Sequence, residues 1–386
     1  MARREVYTVM SGTDDSRPLD VKSNQAKDPP MVISRTPFRV SFFGGGTDYP
    51  AWYRQHGGSV LSATIDKYCY LTCRYLPPFF EHRYRIVYSK IEMVNRIEDI
   101  LHPSVRETLR YLGVSRGIEL HHDGDLPARS GMGSSSSFTV GLLHVLHSLQ
   151  GRMIDRHQLA MEAIHIEQEQ LKETVGSQDQ VMAAYGGLKH VRFQPSGEIV
   201  IRPVIAPRER IAELNAHLML FYTGIKRTAS DVAGVYVKEL DAQRRQLRIM
   251  SDLVEEGLSC LCGDGDICLF GDLLHEAWQA KRNISHAVSN AHVDAMYEQA
   301  RAAGALGGKL LGAGGGGFFL LFVPPDHQAA VAERLSRFIR VPFKFEFNGS
   351  QIALYDPETD YCNEELARSE SLFASFRELS VQPAYV

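Results

Sequence analysis

Hydrophobic residues fall into short runs along the chain, and the spacing within each run indicates strand or helix. Runs rich in β-branched and aromatic residues predict strands at 32–43, 60–65, 68–76 and 84–88. A helix pattern follows at 98–112, a short strand at 118–122, and a helix at 135–149 that is apolar on almost every side. Because a helix without a polar face needs apolar neighbours all round, we expect 135–149 to be buried.

The rest of the chain also alternates between helices and strands. Asp155 is typical of a helix N-cap, and this helix should end near Leu171. Gly176 opens a further helical piece that ends at Ala184. Later strands are predicted at 188–193, 199–204, 217–222, 309–311, 318–323, 343–347 and 351–355, and later helices at 230–257, 269–282, 290–303 and 326–338. Without strict βαβα alternation, the pattern predicts an α+β fold.

The length and the composition fit two globular domains. The chain has 386 residues, of which 44% are hydrophobic and 23% charged, and a domain usually takes ~100–200 residues. We expect a poorly ordered leader at 1–31, an N-terminal domain at 32–205, a C-terminal domain at 206–355 and an extension at 356–386. Two packed domains also leave a cleft between them.

Charge and cysteine usage argue against several classes of protein. A net charge of −4 without a basic stripe argues against nucleic-acid binding, so small-molecule partners are expected. The six cysteines form no CxxC pair, which indicates a reducing compartment. Residues 1–30 contain no apolar run long enough for a signal peptide or a membrane span, so we expect a cytoplasmic protein without membrane contact.

Small and hydroxyl-bearing residues precede the apolar helix. They are Gly131, Met132, Gly133, Ser134, Ser135 and Ser136. Glycines let backbone N–H groups converge on phosphate oxygens, and the free amides of a first helical turn add roughly half a positive charge. A serine hydroxyl here can also reach a phosphate-bound Mg²⁺. The loop predicts a nucleotide-phosphate site, and a serine-rich linker that caps the helix is the alternative.

A second glycine run contains the pattern GxGxxG at Gly312, Gly314 and Gly317. A dinucleotide fingerprint must open a helix, whereas this run leads into the predicted strand 318–323. Consecutive glycines weaken strands unless another group approaches closely, so we expect something to pack here, and a wide hairpin loop is the alternative. A Walker P-loop is also disfavoured, because Lys309 is followed by an apolar residue where that motif needs a hydroxyl.

Two carboxylates flank a predicted helix break at Gly176. Glu167 lies near the end of one helix and Asp179 near the start of the next, so the break lets both face one cavity. Phosphoryl transfer needs one acid for the metal shell and another beside the attacking hydroxyl. Two acids at this spacing are also common on solvated surfaces, and it is the neighbouring motifs that favour the catalytic interpretation.

Together, the motifs resemble those of the GHMP kinases over about 32–355. Segment 37–49 is similar to the first family motif, 131–137 to the second and 312–317 to the third, in the family's order. The resemblance implies a two-domain α+β fold, with an N-terminal domain like domain 2 of ribosomal protein S5 and a ferredoxin-like C-terminal domain. It also implies ATP as the phosphoryl donor and Mg²⁺ as the metal cofactor.

The resemblance also implies individual roles. Ser135 and Glu167 would hold Mg²⁺, and Asp179 would orient or deprotonate the acceptor hydroxyl. Arg39 would neutralise charge on the transferred phosphoryl group, and Asp48 would hold ring hydroxyls of a sugar.

One departure from the family pattern concerns the sugar pocket. Where galactokinases carry Glu-His before Thr-Asp, this chain has Gly45 and Gly46 before Thr47. Without these two side chains and one negative charge, the pocket is larger and suits a bulkier or already phosphorylated sugar. A tight turn is the alternative role for the glycines.

Within the family, 44–48, 222–231 and 278–282 look most like the D-glycero-D-manno-heptose 7-phosphate kinases. That branch implies phosphorylation of the anomeric hydroxyl to the 1,7-bisphosphate, for bacterial surface polysaccharide. A fucokinase-like or galactokinase-like enzyme acting on an unphosphorylated sugar is one alternative. A non-catalytic nucleotide sensor on the same fold is an alternative of another class, and a homodimer is among the assemblies expected.

A substrate phosphate needs cationic partners, of which a bidentate arginine is the strongest. The basic candidates are Lys226, Arg227, Lys281 and Arg282, and the glycines expected to contact substrate are Gly314 and Gly315. Solvated surface is the alternative for each basic residue, and the spacing does not select among them.

Overall fold

The computed structural model describes residues 31–77, 80–128, 130–225 and 243–356. The elements follow in the order β1 (Met31–Phe43), α1 (Pro50–His56), β2 (Gly58–Tyr75), β3 (Tyr84–Val87), β4 (Ile91–Val94), α2 (Pro103–Leu112), β5 (Ile118–Gly124), α3 (Ser134–Leu149), α4 (Arg156–His165), α5 (Gln178–Tyr185), β6 (Leu188–Phe193), β7 (Ile199–Pro203), α6 (Arg208–His217), β8 (Leu218–Tyr222), α7 (Arg244–Cys262), α8 (Cys268–Arg282), α9 (Ala291–Ala302), β9 (Gly307–Leu310), β10 (Phe318–Phe322), α10 (Gln328–Arg334), β11 (Ile339–Val341), β12 (Phe345–Glu346) and β13 (Gln351–Asp356). Short 3-10 helices lie at Ile97–Asp99 and Pro325–His327, and a π-helical turn lies at Ile166–Gln170. The predicted leader, apart from Met31, and the predicted extension beyond Asp356 lie outside the described residues.

Nine strands of the described chain form the first sheet, in the order β13-β1-β2-β5-β3-β4, with β6 and β12 paired to β2 and β7 paired to β6. Strand β2 has 18 residues and pairs with β6 along its first half and with β5 along its second. The sequence predicted two strands here because Asp66 and Lys67 interrupt the apolar run. A bulge in the pairing with β1 absorbs these two residues, so the strand continues through them.

Helix α3 packs against β1 and β2, and the prediction that it is buried is confirmed. Residues of α3 such as Leu142 and Val145 are fully buried. A Cβ atom on Gly141 would lie 2.9 Å from Thr36 Oγ1, so the helix and the sheet approach closely at this point. The first turn of α3, which follows the predicted phosphate loop, is therefore fixed by the core.

The second sheet has the order β11-β8-β10-β9 among the described strands. Its core contains Phe319, which packs edge-on against Trp278 and stacks on Tyr297 with ring centroids 5.3 and 5.4 Å apart. Helix α6, which leads into this sheet, was not predicted. Its buried residues are Leu214 and His217, so the sequence carries no apolar stripe to reveal it.

The last two described strands return to the first sheet. Strand β13 pairs antiparallel with β1, from Met31 opposite Asp356 to Arg35 opposite Gln351, and β12 pairs with β2. The predicted C-terminal domain at 206–355 therefore extends too far, because its final strands belong to the N-terminal sheet. This pairing covers an edge of β1 whose backbone donors and acceptors would otherwise be open.

Sheets and helices combine without βαβα alternation, and the predicted α+β class is confirmed. Within the described ranges, no helix has the length and the apolar character needed to span a lipid bilayer.

Candidate active site

A cavity of about 1060 Å³ lies at the junction of the two domains. Its walls include Arg39 on β1, the loop before α3, the segment 173–176 before α5, and Lys309 on β9. Motifs that are far apart along the chain therefore border one space. Ligand cavities in proteins are commonly of this size and often lie between domains.

The predicted phosphate loop forms the bend that opens α3. Gly131 and Gly133 have φ values of 81° and 74°, in the left-handed region that favours glycine. The first N–H groups of a helix have no partner inside it, so the bend offers backbone donors to an anion. Three serines follow on the cavity wall, namely Ser134, Ser135 and Ser136.

The second glycine run packs against this loop. A Cβ atom on Gly131 would lie 2.6 Å from Leu311 O, and one on Gly317 would lie 2.1 Å from Ser130 O. Phe318 N also donates to Ser130 O at 3.1 Å. The group that was expected to approach the glycines is therefore the phosphate loop itself.

Arg39 and Asp179 form a two-pronged ion pair beside the phosphate loop. Arg39 Nε donates to Asp179 Oδ1 at 2.8 Å, and Nη2 donates to Oδ2 at 2.7 Å. Nη1 donates to Gly131 O at 2.7 Å, and Arg39 N donates to the carbonyl of Met132, whose side chain is buried. A Cβ atom on Gly133 would lie 3.3 Å from Asp179 Oδ2. Arg39 thus holds the carboxylate against the loop and itself borders the cavity.

Glu167 lies behind the phosphate loop and not on the cavity wall that it was expected to share with Asp179. It is 1% exposed, and its Oε2 accepts hydrogen bonds from Ser136 Oγ at 2.9 Å and from Gln180. The π-helical turn turns this side chain inward. The loop hydroxyl that contacts Glu167 belongs to Ser136, whereas Ser135, the expected metal ligand, lies on the cavity wall.

The Ser136–Glu167 pair fits a divalent cation. Burial raises the pKa of Glu167 to about 7, although hydrogen bonds such as the one from Ser136 act in the opposite direction. Within the described ranges, Glu167 Oε1 has no hydrogen-bond partner. Hydroxyl and carboxylate oxygens are hard ligands of the kind that Mg²⁺ takes, so the chemistry of these two side chains suits the metal.

Asp48 is buried at the predicted sugar side of the cavity. Its Oδ1 accepts from Gly46 N at 2.9 Å, and its Oδ2 accepts from Gln178 N at 3.3 Å. A Cβ atom on Gly176 would lie 1.9 Å from Asp48 Oδ2, so the helix break makes room for this carboxylate. Burial, and then the charge of Asp179, raise the pKa of Asp48.

Thr47 holds the turn in place and does not face the cavity. Its Oγ1 lies 2.8 Å from Gly44 O and 2.9 Å from Ser59 O, between which its one proton is shared, and it accepts from Ser59 N at 3.0 Å. The expectation that Thr47 contacts a substrate is therefore corrected, because its hydroxyl is committed to the backbone.

Gly45 and Gly46 border the cavity as expected. A Cβ atom on Gly45 would meet Ser41 Oγ at 3.5 Å and Gln178 Nε2 at 3.7 Å, which are ordinary contacts, so a side chain could enter there.

Gln178 also borders the cavity. The sequence does not reveal it, because a glutamine in a first helical turn belongs to no motif. Its Oε1 accepts from Ser41 at 3.0 Å and from Ser62 at 3.1 Å, which leaves Nε2 on the side of Gly45.

The basic candidates differ in position. Lys226 and Arg227 lie outside the described residues. Arg282 Nε lies 3.6 Å from Asp294 Oδ1, away from the cavity wall. The expected substrate role of Arg282 is therefore corrected, because its charge is directed to a carboxylate on α9.

Two lysines are buried on the cavity wall. Lys281 Nζ donates to Leu310 O at 2.8 Å and to Gly312 O at 2.5 Å. Lys309 Nζ donates to Phe42 O at 2.8 Å and thereby joins the second domain to β1. The sequence indicates Lys281 as a candidate phosphate ligand but not Lys309, whose one motif is a disfavoured P-loop pattern.

Gly314 and Gly315, the two glycines expected to contact substrate, differ in position. Gly314 borders the cavity. Gly315 N donates to Val288 O at 2.8 Å, and Asn290 Nδ2 donates to Gly315 O at 3.1 Å. Gly315 therefore anchors the glycine run, and its expected contact with substrate is corrected.

Aromatic side chains form another wall of the cavity, and no sequence motif revealed them. His102 stacks on Phe138 with ring centroids 4.7 Å apart, and His122 meets Phe138 edge-on at 5.2 Å. Tyr88 packs edge-on against His102 at 4.9 Å. Burial lowers the pKa of His102 to about 4 and also lowers the pKa of His122. The wall is therefore uncharged near neutral pH and suits a flat, apolar ring system.

A glycine- and serine-rich loop at the junction of two α+β domains, with a carboxylate held against it, is the arrangement expected of a phosphotransferase of the kinase class. The family model for the GHMP kinases N terminal domain matches residues 98–187, and the model for the GHMP kinases C terminal region matches residues 250–341. The chain belongs to the GHMP kinases.

Individual relatives are sugar kinases by name. The D-glycero-alpha-D-manno-heptose 7-phosphate kinase of Campylobacter jejuni is 28% identical over 309 residues, which make up 76% of this chain and 90% of that protein. The galactokinase of Pyrococcus furiosus is 25% identical over 355 residues, with 82% of this chain and 95% of that protein covered. The crystal structure of a D-glycero-D-manno-heptose 1-phosphate kinase from Bacteroides thetaiotaomicron has a TM-score of 0.69 at 22% identity and covers 84% of this chain and 99% of that one, which shows a shared fold.

Proposed function

We propose that this GHMP kinase transfers the γ-phosphoryl group of ATP to the anomeric hydroxyl of D-glycero-D-manno-heptose 7-phosphate, giving the 1,7-bisphosphate. The observation that carries the proposal is the approach of Asp179 to the phosphate loop, where a Cβ atom on Gly133 would lie 3.3 Å from its Oδ2. The Campylobacter relative supports the heptose assignment. The absence of side chains at Gly45 and Gly46 supports a large acceptor.

The two parts of the cavity suit the two substrates. The triphosphate would lie on the bend at Gly131 and Gly133, where backbone donors face the cavity. The adenine ring would lie against His102 and Phe138, whose rings are uncharged and stacked. The acceptor sugar would then occupy the part of the cavity beside Asp48.

Asp179 would act on the acceptor hydroxyl mainly by orienting it. Arg39 binds both carboxylate oxygens, which fixes the plane of the carboxylate and leaves further lone pairs for a hydroxyl donor. Positioning of this kind supplies much of the rate of phosphoryl transfer. An anomeric hydroxyl is more acidic than an ordinary alcohol, so complete proton removal is less important. Mg²⁺, for which Ser136 and Glu167 are the fitting side chains, would neutralise phosphate charge.

The test is release of ADP from ATP and Mg²⁺ with a panel of acceptors: heptose 7-phosphate, L-fucose, galactose and N-acetylhexosamines. We expect heptose 7-phosphate to give the highest kcat/KM and ³¹P spectra to show a new anomeric phosphate. Preferred turnover of fucose or galactose would replace the proposed substrate. Tight ATP binding without turnover of any sugar would replace the kinase by a nucleotide sensor.

A further inference from the structure

Among the described residues, the buried lysines Lys281 and Lys309 have donors that no acceptor of the protein uses. An ammonium group has three donors, of which Lys281 directs two to carbonyl oxygens and Lys309 directs one. The residues are only 7% and 1% exposed, yet both border the cavity. Each ammonium can therefore reach a ligand there without giving up its contacts to the backbone.

Positive charge exceeds negative charge around these two lysines. Asp179 is paired with Arg39, which leaves Asp48 as the carboxylate whose field opposes the lysines. In the part of the chain that the structure describes, neither ammonium forms an ion pair with a carboxylate. Burial, and then the charge of Arg39, lower the pKa of Lys309 to about 7, and burial lowers the pKa of Lys281 well below its usual value. Buried charges of one sign are unfavourable unless an anion joins them.

The excess charge lies next to the atoms that bind phosphate and acceptor. Lys281 Nζ donates to Gly312 O, and Gly312 packs on Gly131 of the phosphate loop. Lys309 Nζ donates to the carbonyl of Phe42, three residues after Arg39 on β1. Arg39 itself directs its three nitrogens to Asp179 and Gly131, so part of its donor capacity is used within the protein.

We infer that Lys281 and Lys309 form a binding site for a phosphate oxyanion, namely the phosphoryl group that passes from ATP to the acceptor. This inference rests on the proposed kinase function. The same two ammonium groups would also suit a phosphate carried by the acceptor sugar, so the experiment has an arm for each source. Point-charge ammonium donors are common phosphate ligands in proteins.

The test uses the variants Lys309→Met and Lys281→Met, which keep most of the length of the side chain and remove its charge. Lys189→Met is the matched control, because Lys189 is a half-buried lysine on β6 away from the cavity. Thermal denaturation establishes which variants fold, and calorimetry then measures the affinity for ADP and for the non-hydrolysable triphosphate AMPPNP. We expect AMPPNP to bind about tenfold or more weakly to Lys309→Met, the effect of one lost charged hydrogen bond, with ADP binding nearly unchanged.

A second arm compares heptose 7-phosphate with the unphosphorylated heptose. Selective weakening of heptose 7-phosphate, with AMPPNP unaffected, would support the oxyanion site and identify the acceptor phosphate as its ligand. Equal weakening of ADP and AMPPNP, or no change in either arm, would overturn the site and leave the lysines as supports of the glycine run.

If the variants fail to fold, a further measurement on the wild-type protein still tests the inference. Reductive methylation followed by mass spectrometry should show that AMPPNP protects Lys309 and that ADP does not, and equal labelling in both complexes would overturn the inference. Nucleotide binding needs no knowledge of the acceptor. A failed acceptor panel would therefore refute the proposed substrate without deciding the role of the lysines.

Discussion

Gly131 and Gly312 lie backbone against backbone across the domain junction. A Cβ atom on Gly312 would lie 2.5 Å from Gly131 Cα, and one on Gly131 would lie 2.6 Å from Leu311 O. The shape of the phosphate loop in the first domain therefore depends on a glycine loop in the second.

Gly312→Ala should disrupt both loops together. The added methyl group would overlap Gly131, and Gly312 has a φ of 69°, which alanine rarely adopts. Overpacking of this kind typically destabilises by about 1–3 kcal/mol. We expect a lower melting temperature and weaker nucleotide binding by calorimetry. Gly265→Ala is the control, since a Cβ atom there has no neighbour within 4 Å, and equal losses in both variants would contradict the dependence.

Arg39 and Asp179 should behave as one unit in a double-mutant cycle. Asp179→Asn and Arg39→Lys each break the two-pronged pairing, so the double variant should lose little more kcat than the worse single variant. If Asp179 mainly orients the acceptor, Asp179→Asn keeps a rate within about tenfold of wild type, above the ~10²–10⁴-fold loss typical of a general base. Additive losses in steady-state kinetics would refute the coupling.

The helix break at Gly176 should affect acceptor binding by making room for Asp48. In Gly176→Ala the new Cβ would lie 1.9 Å from Asp48 Oδ2, so the carboxylate must move. We expect a higher KM for the acceptor sugar and a smaller change in the KM for ATP, because Asp48 lies on the proposed acceptor side. A variant in which both KM values rise equally would show that the break supports the whole cavity.

Ser136 and Ser135 should differ in metal binding. Ser136 Oγ lies 2.9 Å from Glu167 Oε2, and Ser135 is exposed on the cavity wall. With ADP present, Ser136→Ala should weaken Mn²⁺ binding, measured by electron paramagnetic resonance, more than Ser135→Ala does. The reverse order would favour Ser135 as the metal ligand.

The aromatic wall should contribute a pH dependence to stability. Burial holds the pKa of His102 at about 4, below its usual value of 6.5. Between these values the unfolded chain binds a proton that the folded protein does not, so this contribution is present above pH 6.5 and is lost as the pH falls towards 4. His102→Phe keeps an aromatic ring without titration. Its melting temperature should fall less than that of wild type between pH 6.5 and 4, and parallel curves would contradict the assignment.

The parts of the site that the sequence predicts are those encoded by local motifs. Gly131, Gly133 and Asp179 belong to short segments whose composition already indicates a phosphate loop or a helix start. The sequence did not show which serine of the loop contacts Glu167. Each residue turns a helix by about 100°, so the serine that faces inward is set by the geometry of the bend at Gly133 and by the core behind α3.

The parts that the sequence does not predict depend on tertiary packing. Lys309 sits in an apolar strand, and its position on the cavity follows from the contact of β9 with β1. Gln178 and the aromatic wall come together only when several elements pack. The same holds for β2, which the sequence divided at Asp66 because the pairing that carries the strand through this point comes from distant residues.

The return of Phe345–Glu346 and Gln351–Asp356 to the first sheet makes the second domain an insertion with both of its ends rooted in the same scaffold. Two covalent tethers, one on each side of the insertion, then restrict how the lobes can rotate about the cavity. A fragment cut at residue 205 would also lack the strands that complete its own sheet.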